Sequence, residues 1–279
     1  MNELLTNLSP GARVLDVGCG GGSFIASQPL TVVGIDLEAV SPGPVNFARA
    51  DAARLPFPDR CFDLVVSNHS LEHFEDLAGA LQEIARVVKP DGALYVSVPD
   101  ATTFSDKLYR WLARGGGHVN PFSSAKQLAS TIEGATGLKH VATRTLCTSL
   151  SFLNRKNARS RRPRKLLLLG GGTEASLLLF TWLSRALDRL LHTRLSVYGW
   201  ALYFGHIHAP LDCRTWSNVC VRCGSGHPSQ LLEQNQLVRR RLLFSMYTCP
   251  SCGARNMFSD DGPSDGSPSG IMSDVERPH

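Results

Sequence analysis

Two matched segments near the end of the chain each carry a pair of cysteines: CVRCG at 220–224 and CPSCG at 249–253. Facing Cys-x-x-Cys turns supply the four thiolates of a tetrahedral zinc site. The glycine after each second cysteine permits a left-handed turn that points backbone N–H groups at sulfur. The same spacing would also fit four thiols without metal. The predicted ligands of a structural Zn²⁺ are Cys220, Cys223, Cys249 and Cys252.

A second pattern joins a glycine-rich turn to three acidic residues. Asp16 is followed by glycines at 18, 20, 21 and 22, so the spacing is not the dinucleotide fingerprint, which would require glycine at position 23. Asp36 ends the second apolar run, where a carboxylate can accept both hydroxyls of a ribose. Asp51 follows the third run. A glycine turn alone could be only a tight turn, but the three features in this order predict a nucleoside-binding edge.

The segments around these residues alternate between strand and helix patterns. The spacing of apolar residues predicts a helix over Leu77–Val88, ended by Pro90 and Gly92. Continuous apolar strands between helices are typical of a parallel sheet that is covered on both faces. The five predicted strands are Arg13–Val17, Leu30–Ile35, Val45–Arg49, Phe62–Ser67 and Ala93–Val98.

The second half of the chain is less regular. We interpret Asp100–Phe122 as a glycine-rich loop and Ser124–Ile132 as a helix that begins at a serine cap. Leu138–Leu146 and Ser196–Phe204 are predicted as a sixth and a seventh strand. Between them, Ala175–His192 has leucines on one side and polar residues on the other, which predicts an amphipathic helix.

Charge is distributed unevenly along the 279 residues. Residues 1–150 carry a net −3, residues 151–258 carry +12 and residues 259–279 carry −4, which together give +5. Seven of the eleven residues at 155–165 are Lys or Arg. A composition of 43% hydrophobic and 19% charged residues excludes a disordered chain and a coiled coil. The basic segment indicates contact with nucleic acid, anionic lipid or an acidic substrate.

The N-terminal half is similar to a known enzyme family. The segments VLDVGCGGG, GIDLE, ADAARLPFPDRCFDLVVSNHSLEHF and EIARVVKPDGALYVSVP resemble class I S-adenosylmethionine-dependent methyltransferases, in the type 11 group that includes quinone-biosynthesis enzymes. The resemblance is close over about 13–100 and loose to about 205. It implies an α/β, Rossmann-like sheet of seven strands in the order 3-2-1-4-5-7-6, with strand seven antiparallel.

The same resemblance implies which residues bind the cofactor, S-adenosyl-L-methionine. Asp16 and the glycines would face its methionine part, Asp36 its ribose and Asp51 its adenine. Asn68 and the residue before it would line the methyl-transfer site. The full implied set is Asp16, Gly18, Gly20, Gly22, Asp36, Leu37, Asp51, Ala52, Ser67 and Asn68.

The residues after the fourth predicted strand limit the methyl acceptor. The Asn/Asp-Pro-Pro-Tyr/Phe motif of amine methyltransferases and the Pro-Cys nucleophile of cytosine methyltransferases are both replaced by Ser-Asn-His-Ser at 67–70. An oxygen or carbon acceptor remains. The basic, amphipathic segment between the sixth and seventh predicted strands further indicates that the acceptor is a small or lipid-linked molecule. His69 and His118 are candidate bases, although either histidine could equally serve only in packing. We expect His73 to begin a helix.

The expected organisation is a methyltransferase domain over 1–206, a zinc-ribbon-like module over 207–258 and a disordered acidic tail over 259–279. Residues 147–195 would be a basic, helical insertion above the acceptor. This insertion suits an anionic membrane surface, or else it packs as a core helix behind a solvated basic loop.

Two other function classes remain open. In an RNA or protein methyltransferase, the basic module could bind nucleic acid or protein. Alternatively, the fold could bind cofactor without catalysing a reaction. No signal peptide is recognisable, and the best candidate span, Leu166–Ser184, is interrupted by Glu174 and three glycines. Cysteine pairs without a secretion signal indicate a reducing cytosol.

Overall fold

The computed structural model contains twelve strands and six α-helices in the residues that it describes. The basic run at 155–165 and the tail from residue 261 onward lie outside those residues. The described residues are 1–20, 22, 29–38, 46–112, 117–154, 172–208, 211, 216–240 and 244–260.

The main sheet contains the predicted strands in the predicted order. From one side to the other, the first seven strands run β3-β2-β1-β4-β5-β7-β6. β1 to β5 are parallel to one another, and β7 is antiparallel to both of its neighbours. The strands are β1 Arg13–Val17, β2 Thr31–Asp36, β3 Asn46–Arg49, β4 Phe62–Asn68, β5 Val88–Pro99, β6 His140–Cys147 and β7 Val197–Gly205.

The sheet has nine strands, so the prediction of seven was wrong. β8, Trp216–Val219, pairs in parallel with β6, and β9, Gly226–His227, pairs with β8. β6 would otherwise present an unpaired edge of N–H and C=O groups, and β8 covers it. A separate antiparallel sheet contains β10 Val238–Arg240, β11 Ser245–Thr248 and β12 Arg255–Phe258.

The helices begin at side-chain caps where the sequence provides them. Asp76, Ser124 and Thr173 each accept a backbone N–H at the start of a helix. The segment Asp100–Phe122, interpreted as a loop, contains the helix α3, so that interpretation was wrong in part. The helices are α1 Asn2–Thr6, α2 Leu77–Val87, α3 Phe104–Leu112, α4 Ala125–Thr136, α5 Glu174–Leu191 and α6 Ser229–Gln234.

Both faces of the main sheet are covered. Alternate residues of β4 contribute to opposite faces, because side chains of a strand alternate in direction. Val65 packs on one face with apolar residues of α2 and α4. Leu64 and Val66 pack on the other face with α1. The continuous apolar strands therefore have the double burial that the sequence predicted.

Helix α5 is amphipathic as predicted, but its polar side is the buried one. Thr181, Ser184 and Asp188 are each at most 2% exposed, and only Leu177 of the leucines is fully buried beside them. The Asp188 carboxylate accepts the backbone N–H groups of Leu195 and Ser196 at 2.7 Å. The leucine side faces outward, which does not fit the alternative of a core-packing helix. Among the described residues, no helix combines the length and apolarity needed to cross a bilayer.

Candidate active site

The glycine turn after β1 is tied to the end of β2. The Cys19 N–H donates to the Ile35 carbonyl at 2.9 Å, and the Gly20 N–H donates to Asp36 Oδ2, also at 2.9 Å. The other carboxylate oxygen of Asp36 accepts the Glu38 N–H at 3.1 Å. Asp36 therefore holds the turn in place while its carboxylate remains partly exposed at the sheet edge.

Gly18 brings the turn against the segment that follows β4. Its φ is +68°, and a Cβ at this position would lie 2.5 Å from the Ser70 Cβ. The Ser70 hydroxyl donates to the Val17 carbonyl at 2.7 Å. The close approach of these two segments therefore depends on glycine at position 18.

The other residues expected to contact the cofactor lie along the same edge. Asp16 is fully buried in β1, and Ala52 is nearly so, whereas Leu37 is 62% exposed. Asp51 Oδ1 accepts the Ala53 N–H at 3.0 Å. Because β2 and β3 pair in parallel, Asp36 and the segment that carries Asp51 emerge side by side.

The end of β4 presents Asn68 and His69 but not Ser67. Ser67 is fully buried, and its hydroxyl lies 2.6 Å from the Ser70 hydroxyl. Asn68 Oδ1 accepts the Ser97 hydroxyl at 2.7 Å. His69 has a φ of +55°, a strained conformation that residues other than glycine seldom adopt and that occurs often at functional sites.

His69 is a partly buried, neutral imidazole. Its ring centroid lies 5.1 Å from that of Tyr198. Burial lowers the pKa of His69 to about 4, and the neighbouring His118 and His73 lower it further. Within the described part of the chain, its Nδ1 has no hydrogen-bond partner. A neutral imidazole with such a nitrogen can accept a proton from a bound hydroxyl.

A cavity of about 280 Å³ opens where these side chains end. Asn68, His69 and His118 line it, as do Glu72, His73 and several aromatic rings. Most of the remaining lining comes from the segment after β6 and from the first cysteine turn and the residues that follow it. The described residues that line it are Met1, Asn68, His69, Glu72, His73, Tyr95, Tyr109, His118, Leu146, Thr148–Phe152, Tyr198, Val219 and Cys223–Gly226.

Two acidic residues of this region were not predicted from sequence. Glu72 is 2% exposed, and burial raises its pKa to about 8. Asp106 is 1% exposed, and its carboxylate lies within 3.2 Å of His118 Nδ1 and 2.7 Å of Arg110. For Glu72, its position next to His73 was a signal in the sequence. Nothing local in the sequence marked Asp106, because α3 was not recognised.

The four predicted metal ligands lie together. The Cys220 and Cys252 sulfurs are 3.6 Å apart, and those of Cys223 and Cys249 are 3.7 Å apart. A tetrahedron with Zn–S bonds of about 2.3 Å separates its sulfurs by about 3.8 Å. The two turns match, because each closes on a glycine with φ near +70° whose N–H donates to the carbonyl of the first cysteine. Four thiolates in this arrangement suit zinc.

Hydrogen-bond donors surround the cysteine sulfurs. The Arg222 N–H and the Asn256 side-chain amide both lie 3.4 Å from the Cys220 sulfur. His227 Nε2 lies 3.3 Å from the Cys249 sulfur. Such contacts orient and stabilise thiolates in metal sites.

The first cysteine turn is packed against the wall of the cavity. A Cβ on Gly224 would lie 2.9 Å from Ser151 Oγ, and the Asn154 side chain donates to the Val221 carbonyl at 2.9 Å. Arg222 forms a two-bonded ion pair with Glu174 of α5, with N–O distances of 2.6 and 2.8 Å. The cysteine cluster therefore belongs to the same structural unit as the cavity.

Replacing Gly18 with Ala should destabilise the protein by about 2–4 kcal/mol, because the residue would be strained at positive φ and its methyl group would collide with Ser70. Urea unfolding measures the change. Gly11→Ala is the matched control, since Gly11 also has positive φ (+82°) but has no atom within 4 Å of the added Cβ. We expect that variant to lose about 1 kcal/mol. Equal losses in the two variants would show that the contact with Ser70 is unimportant.

Comparisons with known proteins agree with this geometry. Residues 1–143 match the family model described as a methyltransferase domain. The ubiquinone biosynthesis O-methyltransferase of Azorhizobium caulinodans is 29% identical over 153 residues, which are 46% of this chain and 59% of that protein. The malonyl-[acyl-carrier protein] O-methyltransferase of Methylococcus capsulatus is 29% identical over 187 residues, or 57% of this chain and 67% of that protein.

Among solved structures, phosphoethanolamine N-methyltransferase 2 of Haemonchus contortus, in complex with S-adenosyl-L-methionine, is 18% identical with a TM-score of 0.44. The match covers 72% of this chain and 49% of that one. The chain spans 59% of the length of the Azorhizobium relative. The family model matches just over half of the 279 residues, and the chain therefore belongs to the methyltransferase domain family.

Proposed function

We propose that the protein is an S-adenosylmethionine-dependent methyltransferase that transfers a methyl group to an oxygen or carbon atom of a small or lipid-linked acceptor. The observation that carries this proposal is the position of the cavity. It begins at Asn68 and His69, and the next residue, Ser70, packs directly against Gly18 of the glycine turn. A cofactor held at that turn would present its methyl group to the cavity.

The residues at the sheet edge support an adenosyl amino acid as cofactor. The carboxylate of Asp36 is suited to accept the two ribose hydroxyls, and Asp51 and Ala52 follow the neighbouring strand, where adenine would lie. Asp16 is buried in β1 before the turn, and a Cβ added at Gly20 or Gly22 would have no atom within 4 Å, which suits close approach of the methionine part. This assignment follows the family resemblance, residue by residue.

His69 is the side chain best placed to act as a base. Methyl transfer from a sulfonium is an in-line displacement, so the protein mainly aligns the acceptor and excludes water. An acceptor hydroxyl must also lose its proton, and the neutral His69 imidazole at the cavity can take it. Transfer to oxygen is favoured for this reason, and because both curated relatives described above are O-methyltransferases. His118, the second candidate, already has its Nδ1 near Asp106.

Two other functions are less well supported. An RNA or protein methyltransferase would use the basic cysteine module, together with the basic run at 155–165 that lies outside the described residues, and the O-methyltransferase relatives do not favour it. A steep salt dependence of RNA affinity would support that alternative. A protein that only binds cofactor would show cofactor affinity without any methylated product.

Isothermal titration with S-adenosylmethionine tests the cofactor site. Asp36→Asn should lower the affinity about tenfold or more, because charge-assisted hydrogen bonds to the ribose are lost. Asp91→Asn is the matched control, because Asp91 is an exposed acid at the opposite edge of the sheet. The Asp91→Asn variant should bind S-adenosylmethionine with the affinity of the wild type. Absence of binding to the wild-type protein would contradict the proposal.

The acceptor can be sought with the same pair of variants. Cell extracts incubated with isotopically labelled cofactor should yield a labelled methylated product, detected by mass spectrometry, with wild-type protein and with Asp91→Asn. Asp36→Asn should give much less of it. If the wild-type protein binds the cofactor but yields no methylated product, the alternative of a protein that only binds cofactor would be favoured.

We further propose that Cys220, Cys223, Cys249 and Cys252 hold a structural zinc ion, which suits the reducing cytosol predicted from the sequence. Protein purified without chelators should contain about one zinc per chain by elemental analysis, and Cys252→Ser should contain much less. Cys147→Ser, a buried cysteine outside the cluster, is the control that should retain zinc. Because Gly224 contacts Ser151, zinc loss should also increase amide exchange at 148–154. Wild-type protein without zinc would contradict this assignment.

The outward side of α5 supports peripheral contact with an anionic membrane. Leu179, Trp182 and Leu190 are 57%, 45% and 76% exposed, and the basic run precedes the helix in sequence. Apolar side chains beside basic residues suit an anionic lipid surface.

Leu190→Glu should reduce co-sedimentation with anionic vesicles at low salt about tenfold, because burial of a leucine in the membrane is lost and a like charge is added. Gln127→Glu, which adds the same charge at an exposed position of α4, should bind the vesicles as the wild type does. No binding of the wild type to anionic vesicles would rule out this contact.

A further inference from the structure

Three side chains with metal-binding atoms meet inside the cavity, apart from the four cysteines. Glu72, His73 and His118 each offer one ligand atom, and these atoms all lie within 4.8 Å of one another. Glu72 and His73 belong to the 3-10 helix Leu71–His73 that follows β4, whereas His118 follows α3. The backbone N–H of Val119, next to His118, donates to the Glu72 carbonyl at 2.8 Å, which holds the two segments together.

An oxygen atom lies near Nδ1 of each of the two histidines. His73 Nδ1 lies 2.9 Å from the Gly117 carbonyl oxygen, and His118 Nδ1 lies 3.2 Å from Asp106 Oδ1. The carbonyl acceptor at His73 Nδ1 places the proton on that nitrogen, so the lone pair of this neutral ring resides on Nε2. At His118, Asp106 lies at ion-pair distance, and neither of its carboxylate oxygens has a hydrogen-bond partner among the described residues. Histidines that bind metals are commonly held in this way by a backbone carbonyl or a carboxylate.

Glu72 provides an independent observation that points to a cation. Its side chain is 2% exposed, and its Oε2 has no hydrogen-bond partner among the described residues. Arg110 lies 2.7 Å from the Asp106 carboxylate, and no ion pair is found for Glu72 among the described residues. Burying a carboxylate oxygen without a donor or a cation is unfavourable by several kcal/mol. A bound cation beside the two imidazoles would satisfy it.

We propose that Glu72, His73 and His118 bind a divalent first-row metal ion at the wall of the acceptor cavity. Two imidazoles and one carboxylate suit ions such as Mn²⁺, Fe²⁺ or Co²⁺, whereas the four cysteines select zinc. Three protein ligands leave coordination positions toward the cavity. That these positions receive oxygen atoms of the methyl acceptor rests on the proposed function, whereas the metal site does not.

The alternative is that the same side chains only pack together. The rings of His73 and His118 are in edge contact at 4.8 Å, and Tyr109 stacks on His118 at 5.2 Å. A packed cluster of this kind would not bind metal ions, so direct binding measurements distinguish the two possibilities without acceptor or cofactor.

The test is a titration of zinc-loaded, full-length protein with Mn²⁺, in which electron paramagnetic resonance measures the free ion. We expect about one Mn²⁺ per chain, in addition to the zinc. Glu72→Gln and His118→Ala should each weaken Mn²⁺ binding at least about tenfold. Glu75→Gln is the matched control, because Glu75 is an exposed carboxylate three residues further along and should bind as the wild type does.

A second metal separates this site from the cysteines and checks that the variants are folded. Co²⁺ added to zinc-loaded protein should give the weak visible bands of a nitrogen and oxygen site, without the intense near-ultraviolet bands of thiolate ligands. Zinc content and the thermal unfolding midpoint of each variant report an intact fold. The proposal is overturned if wild-type protein binds no Mn²⁺ beyond its zinc, if folded Glu72→Gln and His118→Ala bind it as tightly as wild type, or if added Co²⁺ shows only thiolate bands.

Discussion

The parallel alignment of β1, β2, β4 and β5 is the constraint on which the rest of the structure depends. Parallel strands end at the same edge, so the glycine turn, Asp36, Asn68 and His69 emerge together although Gly18 and His69 are 51 residues apart in sequence. The two segments nearest the cavity can touch because Gly18 lacks a side chain where Ser70 packs. Loop variation at this edge then changes chemistry without changing the sheet.

The pairing of β8 with β6 adds the cysteine cluster to this edge. Thr145 lies opposite Trp216 and Leu146 opposite Ser217 in this parallel pairing, which continues the main sheet beyond the family's common core. They carry the turn at Cys220–Gly224 to the segment that lines the cavity. The cavity is therefore built jointly by the methyltransferase sheet and by the cysteine region. The strong net positive charge of the second half likewise lies outside the glycine turn and its acids.

Helix α5 illustrates how polar burial can determine the orientation of a helix. Asp188 accepts hydrogen bonds from the chain that leads into β7, and Arg185 lies 3.3 Å from the Asn218 side chain of β8. These polar contacts are available only on the side that faces the sheet and the cysteine region. Five of the leucines are consequently left exposed on the outer side, namely Leu179, Leu183, Leu187, Leu190 and Leu191.

The sequence by itself determined the strand order of the first seven strands, the approximate limits of β1–β7, α2, α4 and α5, the serine cap of α4 and the identity of the four clustered cysteines. These features follow from the periodic spacing of apolar residues, from local helix capping and from the fixed spacing of metal ligands, or from the resemblance to a known family. Only the tertiary structure decided that β8 extends the sheet, that α5 buries its polar side and that Glu72 and His73 meet His118. Periodicity shows that a helix has two sides but not which one is covered. Contacts between segments 46 residues apart depend on packing that no local pattern contains.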